Sequence, residues 1–208
     1  MLSSITRHDF LNNTTGLLGL VDMLNELITD SSALALIKDI RSLIRTINDQ
    51  ILFTRFYQDI GVKAPEWQDV REIICDAARQ LRPEGVVIDN SIQGIEVYAD
   101  TLIGKVFYNL MENSLRHGEH VKNMSFAASE TGQGLLITYE DDGVGVSDED
   151  KQKLFQKGFG KHTGLGLFLS KEILAITGIG IRENGVRGKG VRFEILVPKG
   201  SYLFKDAE

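Results

Sequence analysis

Near the start of the chain, His8-Asp9-Phe10-Leu11-Asn12 places an imidazole, a carboxylate and an amide within little more than one helical turn. A neutral imidazole is nucleophilic near pH 7 and needs no deep pKa shift. Asp9 can hold one ring nitrogen protonated and leave the other to attack. Asn12 shares the face of His8 and can orient a water. A hundred residues later, Asn109, Asn113 and His117 fall at i, i+4 and i+8, on one helical face. Asp141 ends an apolar strand and opens a turn with Gly143 and Gly145. A carboxylate there can accept a proton from a purine amino group, and the glycines can let the backbone approach the ring. Gly164-Leu165-Gly166 opens an apolar helix, whose first amides can cradle a phosphate. Each element alone also has an ordinary structural explanation, as a solvated stripe, a common turn or a helix start.

The elements that must position these groups divide near residue 62. Only three of the 21 glycines lie in residues 1–61. Residues 2–29 and 32–60 read as two helices joined by Thr29-Asp30-Ser31-Ser32, a turn with N-cap chemistry. Ala33, Ile37, Ile40, Ile44, Ile47 and Ile51 alternate spacings of four and three, a heptad seam. Phe10, Leu17, Leu20, Leu24 and Leu27 follow the same register. Two helices cannot bury stripes this wide against each other, and a second copy completing a four-helix bundle is the economical solution. After a linker at 61–65 the pattern becomes α+β. Helices are expected over 68–82, 101–117 (with Gly118 as C-cap) and 165–177. Strands are expected over 86–88, 95–97, 124–128, 135–141, 179–182 and 191–197.

Composition narrows the function classes. A net charge of −6 argues against non-specific nucleic-acid or anionic-membrane binding. Cys75 is the single cysteine, which suits a reducing compartment. No apolar run approaches the ~20 residues that span a bilayer.

The order and spacing of the second set of residues resemble the N, G1 and G2 boxes of the GHKL (Bergerat) ATP-binding fold. That fold is shared by sensor histidine kinases, Hsp90-type chaperones and gyrase-type topoisomerases, and the resemblance covers roughly residues 66–200. Phe155 and Phe159 resemble the F box of the kinase branch, and His8-Asp9-x-x-Asn12 resembles its H box. The resemblance implies an all-α helical hairpin forming a dimeric four-helix bundle over residues 1–62, for dimerisation and histidine phosphotransfer. An α+β two-layer sandwich that binds ATP would follow over 66–208. By the same resemblance Asn113 ligates Mg2+, Asn109 lies near the phosphates and Asp141 reads the adenine amino group. Gly164 and Gly166 bind phosphate through their backbone, with Thr163, Leu165 and His117 beside them. Arg116, Lys157, Lys161 and His162 are phosphate candidates, and 146–163 is a short lid.

The implied reaction is ATP-dependent autophosphorylation of His8, with Asp9 as general base, then transfer to an aspartate of a response-regulator receiver domain. Asn12 is placed to support dephosphorylation. The hydrolytic branches resemble one another in carrying Glu where this chain has Asn109, and an amide cannot take a proton from water. A GHKL ATPase or anti-sigma-type serine/threonine kinase is one alternative, and a non-catalytic nucleotide-binding dimer scaffold is another. Many H boxes have Pro where this chain has Asn13; the Pro-less form resembles archaeal ones. The expected setting is a cytoplasmic core, without nucleic acid, from a longer and membrane-anchored protein whose upstream sensor is missing from this fragment.

Overall fold

The structure, a computed structural model, describes residues 4–160 and 163–205. Helices α1 (Ser4–Leu27) and α2 (Ser31–Asp59) form an antiparallel hairpin. The Asp30 carboxylate accepts from the Ala33 amide at 2.8 Å, the cap that the turn sequence predicts. Arg7 bonds Gln58 at one end and Arg41 bonds Asp22 toward the other. Between them the buried Thr14 hydroxyl donates to Asn48, a polar contact that pins the register.

The hairpin core is narrower than the expected seam. On α2 every seventh residue is buried, Ile37, Ile44 and Ile51, and Val21 of α1 packs against the first two. Ile40 and Ile47, expected in the same seam, are 46% and 45% exposed, and Leu17, Leu20 and Leu43 are more exposed still. One heptad position therefore faces the sister helix and the other faces outward, because two cylinders share only one line of contact.

The α/β unit follows the linker. Its elements are β1 (Glu66–Asp69), α3 (Val70–Leu81), β2 (Val87–Asn90), β3 (Ile95–Ala99), α4 (Ile103–His117), β4 (Asn123–Thr131), β5 (Gly134–Asp141), α5 (Asp148–Lys151), α6 (Gly166–Ala175), β6 (Gly180–Glu183), β7 (Arg192–Pro198) and β8 (Tyr202–Phe204). Five strands form a mixed sheet in the order β2-β4-β5-β7-β6, with β2 parallel to β4 and the other pairs antiparallel. A separate antiparallel sheet, β1-β3-β8, takes up β3. Residues of α3, α4 and α6 share one core with β5 and β7, including Ile74, Phe107, Leu110, Ile173, Ile137 and Ile195. The expected two-layer sandwich is present. Sequence periodicity misses β1, α5 and β8, which at three or four residues are too short to show a period.

Strand β5 alternates cleanly. Leu135, Ile137 and Tyr139 point into the core, and Asp141 is the next inward position. Tyr139 donates to the Ser114 hydroxyl at 2.7 Å, and Ser114 donates to the Leu110 carbonyl at 3.3 Å. Burial pushes the Tyr139 phenol well above its ordinary pKa. This chain of bonds ties the end of β5 to α4, the two elements that carry the candidate site.

Ile44→Ala removes a side chain from the middle of the hairpin core. It should cost about 2–5 kcal/mol of stability, read as a lower midpoint in thermal unfolding followed by helical circular dichroism. A change under about 0.5 kcal/mol would contradict this packing.

Candidate functional site

A cleft of about 960 Å³ opens between α4, the turn after β5, the start of α6 and the loop joining β6 to β7. Most residues singled out from sequence line it. Asn109, Asn113, Arg116 and His117 come from α4, and Asp141 and Gly145 from the β5 end. Thr163, Gly164, Leu165 and Gly166 come from the entry to α6. Gly143 and Lys157 do not line it, and Lys161 and His162 lie outside the described residues.

Asp141 is 7% exposed and only half satisfied. Its Oδ1 accepts from the amides of Gly143 at 2.9 Å and Val191 at 3.0 Å. Its Oδ2 is buried and has no partner among the described residues. An unmatched buried acceptor costs on the order of 1–3 kcal/mol. Held this rigidly, Oδ2 suits a ligand N–H.

The glycines of this turn also let segments of the chain pack closely. A Cβ at Gly143 would come within 2.8 Å of the Gly118 carbonyl, so that glycine lets the turn pack on the end of α4. Gly190, which sequence reasoning did not single out, matters more. Its φ is +98°, and a Cβ there would sit 1.8 Å from the Asp141 carbonyl oxygen. The Gly-Lys-Gly run at 188–190 marks a turn but carries no hint of which strand end it approaches. Gly118 likewise ends α4 with φ of −79°, in the helical region, and a Cβ there would crowd Val121 and the Ser114 carbonyl.

Asn109 joins the two helices of the cleft. Its Nδ2 donates to the Gly166 carbonyl at 2.9 Å and to the Ser170 hydroxyl at 3.1 Å. This fixes the start of α6. Among the described residues no side chain caps that helix, and Gly166 and Leu167 of its first turn line the cleft. Asn113, one turn after Asn109, has a buried Nδ2 without a partner among the described residues. Arg116 pairs with Glu112 at 3.0 Å and with Asp49 of α2 at 3.9 Å.

The segment expected as a lid is anchored over its described residues 151–159. Lys151 of α5 bonds the Gly185 carbonyl at 2.7 Å and approaches Glu183 at 3.5 Å. Phe155 meets Phe193 edge-on with centroids 6.2 Å apart, and Phe159 lines the cleft. Lys157 lies 5.7 Å from the ring centre of Phe53. Sequence reasoning missed that α2 forms a wall of the cleft through Asp49, Phe53 and Phe56. It also missed Lys105, whose ammonium lies 3.8 Å from the centre of the Tyr108 ring. Burial holds the Lys105 ammonium below its usual pKa.

His8 is not among the residues lining the cleft; it stands on α1 with its side chain 74% exposed. Asn12 Nδ2 is 3.2 Å from His8 Nδ1, so the two share a face as expected. The Asp9 carboxylate is 3.6 Å from the same nitrogen, just beyond hydrogen-bond reach.

Residues 99–201, within the α/β unit, match the family of histidine kinase-, DNA gyrase B- and HSP90-like ATPases. The chain is 31% identical to the alginate biosynthesis sensor protein KinB of Pseudomonas aeruginosa over 173 residues, 77% of this chain and 29% of that protein. It is 26% identical to the sensor histidine kinase WalK of Bacillus subtilis over 174 residues, 75% of this chain and 28% of that one. The chain thus spans under a third of the length of these relatives. Among solved structures, full-length ShkA in complex with AMPPNP superposes with a TM-score of 0.66 at 19% identity, over 98% of this chain and 46% of that one. The Acinetobacter baumannii histidine kinase AdeS superposes with a TM-score of 0.58 at 19% identity, over 92% and 96%. These structures share the hairpin as well as the sandwich fold.

Gly190→Ala should destabilise the α/β unit by more than about 1 kcal/mol, because both the positive φ and the approach to Asp141 forbid a side chain. Gly180→Ala, in open space, is the control and should shift the melting midpoint little. Equal midpoints for the two variants would contradict the close approach.

Proposed function

We propose that this chain is the core of a sensor histidine kinase, with a dimerisation and phosphotransfer hairpin over residues 1–62 and a catalytic ATP-binding domain over 66–208. The observation that carries the reading is the lone Oδ2 of Asp141 at the bottom of a cleft whose other end is an uncapped helix start. An adenine amino group bonded to that oxygen would direct the triphosphate toward the amides at 164–168. Thr163, Leu165 and His117 would flank it, and Arg116 would meet a phosphate. Lys157 would add a cation from the lid segment; Lys161, a phosphate candidate from sequence, lies outside the described residues.

Mg2+ fits the remaining orphan. The Asn113 amide, with its two ends exchanged, presents an oxygen of the type that Mg2+ takes beside the phosphates. The ion would neutralise charge on the transferring phosphoryl group. Asn109 supports transfer over hydrolysis. It stands where the hydrolytic branches carry Glu, and its Nδ2 is committed to Gly166 and Ser170.

The acceptor in this reading is His8. A proton on Nδ1, drawn to Asp9, would leave Nε2 free to attack the γ-phosphorus as the bond to ADP breaks. Asn12 would act in the reverse sense and orient water against a phospho-aspartate. The outward row of Leu17, Leu20, Ile40, Leu43 and Ile47 suits a second copy of the hairpin, since so long an apolar row is rarely left in water. The receiver domain of a response regulator would then take the phosphate from the exposed His8. Of the full-length protein, an upstream sensor and a membrane anchor would lie outside this sequence. Among the described residues no helix is long and apolar enough to cross a membrane.

The test uses γ-labelled ATP with Mg2+. The chain should acquire label that is lost in acid and kept in alkali. His8→Gln should acquire none while binding ATP as well as the parent does, since His8 is outside the cleft. Acid-labile label on His8→Gln would contradict the assignment.

A further inference from the structure

Helix α2 reaches further than the hairpin requires. Asp49, Phe53 and Tyr57, spaced i, i+4 and i+8, form one stripe along it. That stripe meets the α/β unit at three places. Asp49 Oδ2 is 3.9 Å from Arg116 Nη1 on α4. The rings of Phe53 and Tyr57 lie 6.1 Å and 6.2 Å from the Phe168 ring on α6, and 5.5 Å from each other. Lys157 of the lid segment approaches Phe53. At the end of the helix the Gly61 amide donates to buried Asp100 at 2.9 Å, so the joint is continuous into the linker.

The contacts have unequal standing. The aromatic stack of Tyr57 and Phe168 is outside the lining of the cleft, whereas Arg116 is part of that lining. Arg116 and Lys105 of α4 both line the cleft, and Arg116 is the one taken to meet a phosphate under the reading above. Arg116 Nη2 is hydrogen-bonded to Glu112 on its own helix at 3.0 Å, and Nη1 is the arm that faces Asp49 on α2. An arm held toward that carboxylate is not offered to a phosphate. Docking of α2 and binding of a triphosphate thus draw on one side chain.

We propose that the docked α2 and the nucleotide's phosphates compete for Arg116, so that Asp49 holds the cleft in a state of lowered nucleotide affinity. The proposal rests on the reading of the cleft as an ATP site. Binding free energies are reciprocal: if docking weakens nucleotide binding, nucleotide must loosen the docked joint by the same factor. The empty protein then holds its α/β unit against the hairpin, and the nucleotide-bound one frees that unit to approach the exposed His8.

Calorimetry with a non-hydrolysable ATP analogue and Mg2+, on the whole chain, tests this. Asp49→Asn should tighten binding about two- to fivefold, the scale of a partly exposed ion pair. Tyr57→Ala should also tighten it, although Tyr57 does not line the cleft. The double variant should gain less than the product of the two single effects, because both release the same docked state. If Asp49→Asn gains the same factor in the Tyr57→Ala background, Asp49 acts by simple repulsion and the proposal is wrong. Unchanged or weaker binding in both single variants also overturns it. Parent protein that binds analogue, with variants that match it, removes only the competition. Parent protein that binds no analogue removes the ATP reading and this inference with it.

Discussion

Among the described residues the Asp141 carboxylate is held by one oxygen and left without a partner at the other, and the end of β5, the β6–β7 loop and α4 all meet around it. Two backbone amides from different segments, Gly143 and Val191, fix Oδ1. A positive-φ glycine, Gly190, lets the β6–β7 loop come close enough to deliver the second of them. The buried Tyr139–Ser114 bond keeps the same strand end against α4. A buried acceptor without a partner is an expense in stability that a fold tolerates where a ligand will supply the missing donor.

From that fixed point the cleft extends in a definite direction. Asn109 ties α4 to the first turn of α6, and this sets the uncapped amides at a constant place relative to Asp141. A group that binds at both ends must carry a hydrogen-bond donor at one and negative charge at the other. The hairpin contributes the remaining wall through Asp49, Phe53 and Phe56. The site therefore spans two parts of the chain that the sequence suggests are separate.

What was legible in the sequence follows from periodicity. Long helices and the alternating β5 and β7 show their period, and Asp141 could be placed inward because Leu135, Ile137 and Tyr139 precede it at spacings of two. The N-cap at Asp30 was legible from local chemistry. What was not legible depends on approach in space. Nothing local marks Gly190 as the neighbour of Asp141, or Phe168 as the contact of Tyr57. The heptad seam of α2 was read as one surface, yet it divides into a buried row at Ile37, Ile44 and Ile51 and an outward row at Ile40 and Ile47. A spacing of alternating four and three does not say which of its two rows meets which partner. The G1 glycines were read for their nearness to a ligand, and their packing against Gly118 and Gly190 shows a different reason for the same residues.

The central claim is that Asp141 Oδ2 accepts from an adenine amino group. Calorimetry of the chain with ATP and with GTP measures it directly. The parent protein should bind ATP and discriminate strongly against GTP, whose ring presents a carbonyl where adenine presents the amino group. Asp141→Ala, which removes the acceptor, should lose about ten- to a hundredfold in ATP affinity and most of that discrimination. Equal affinity of the parent for both nucleotides, or ATP affinity unchanged in the variant, would contradict the account.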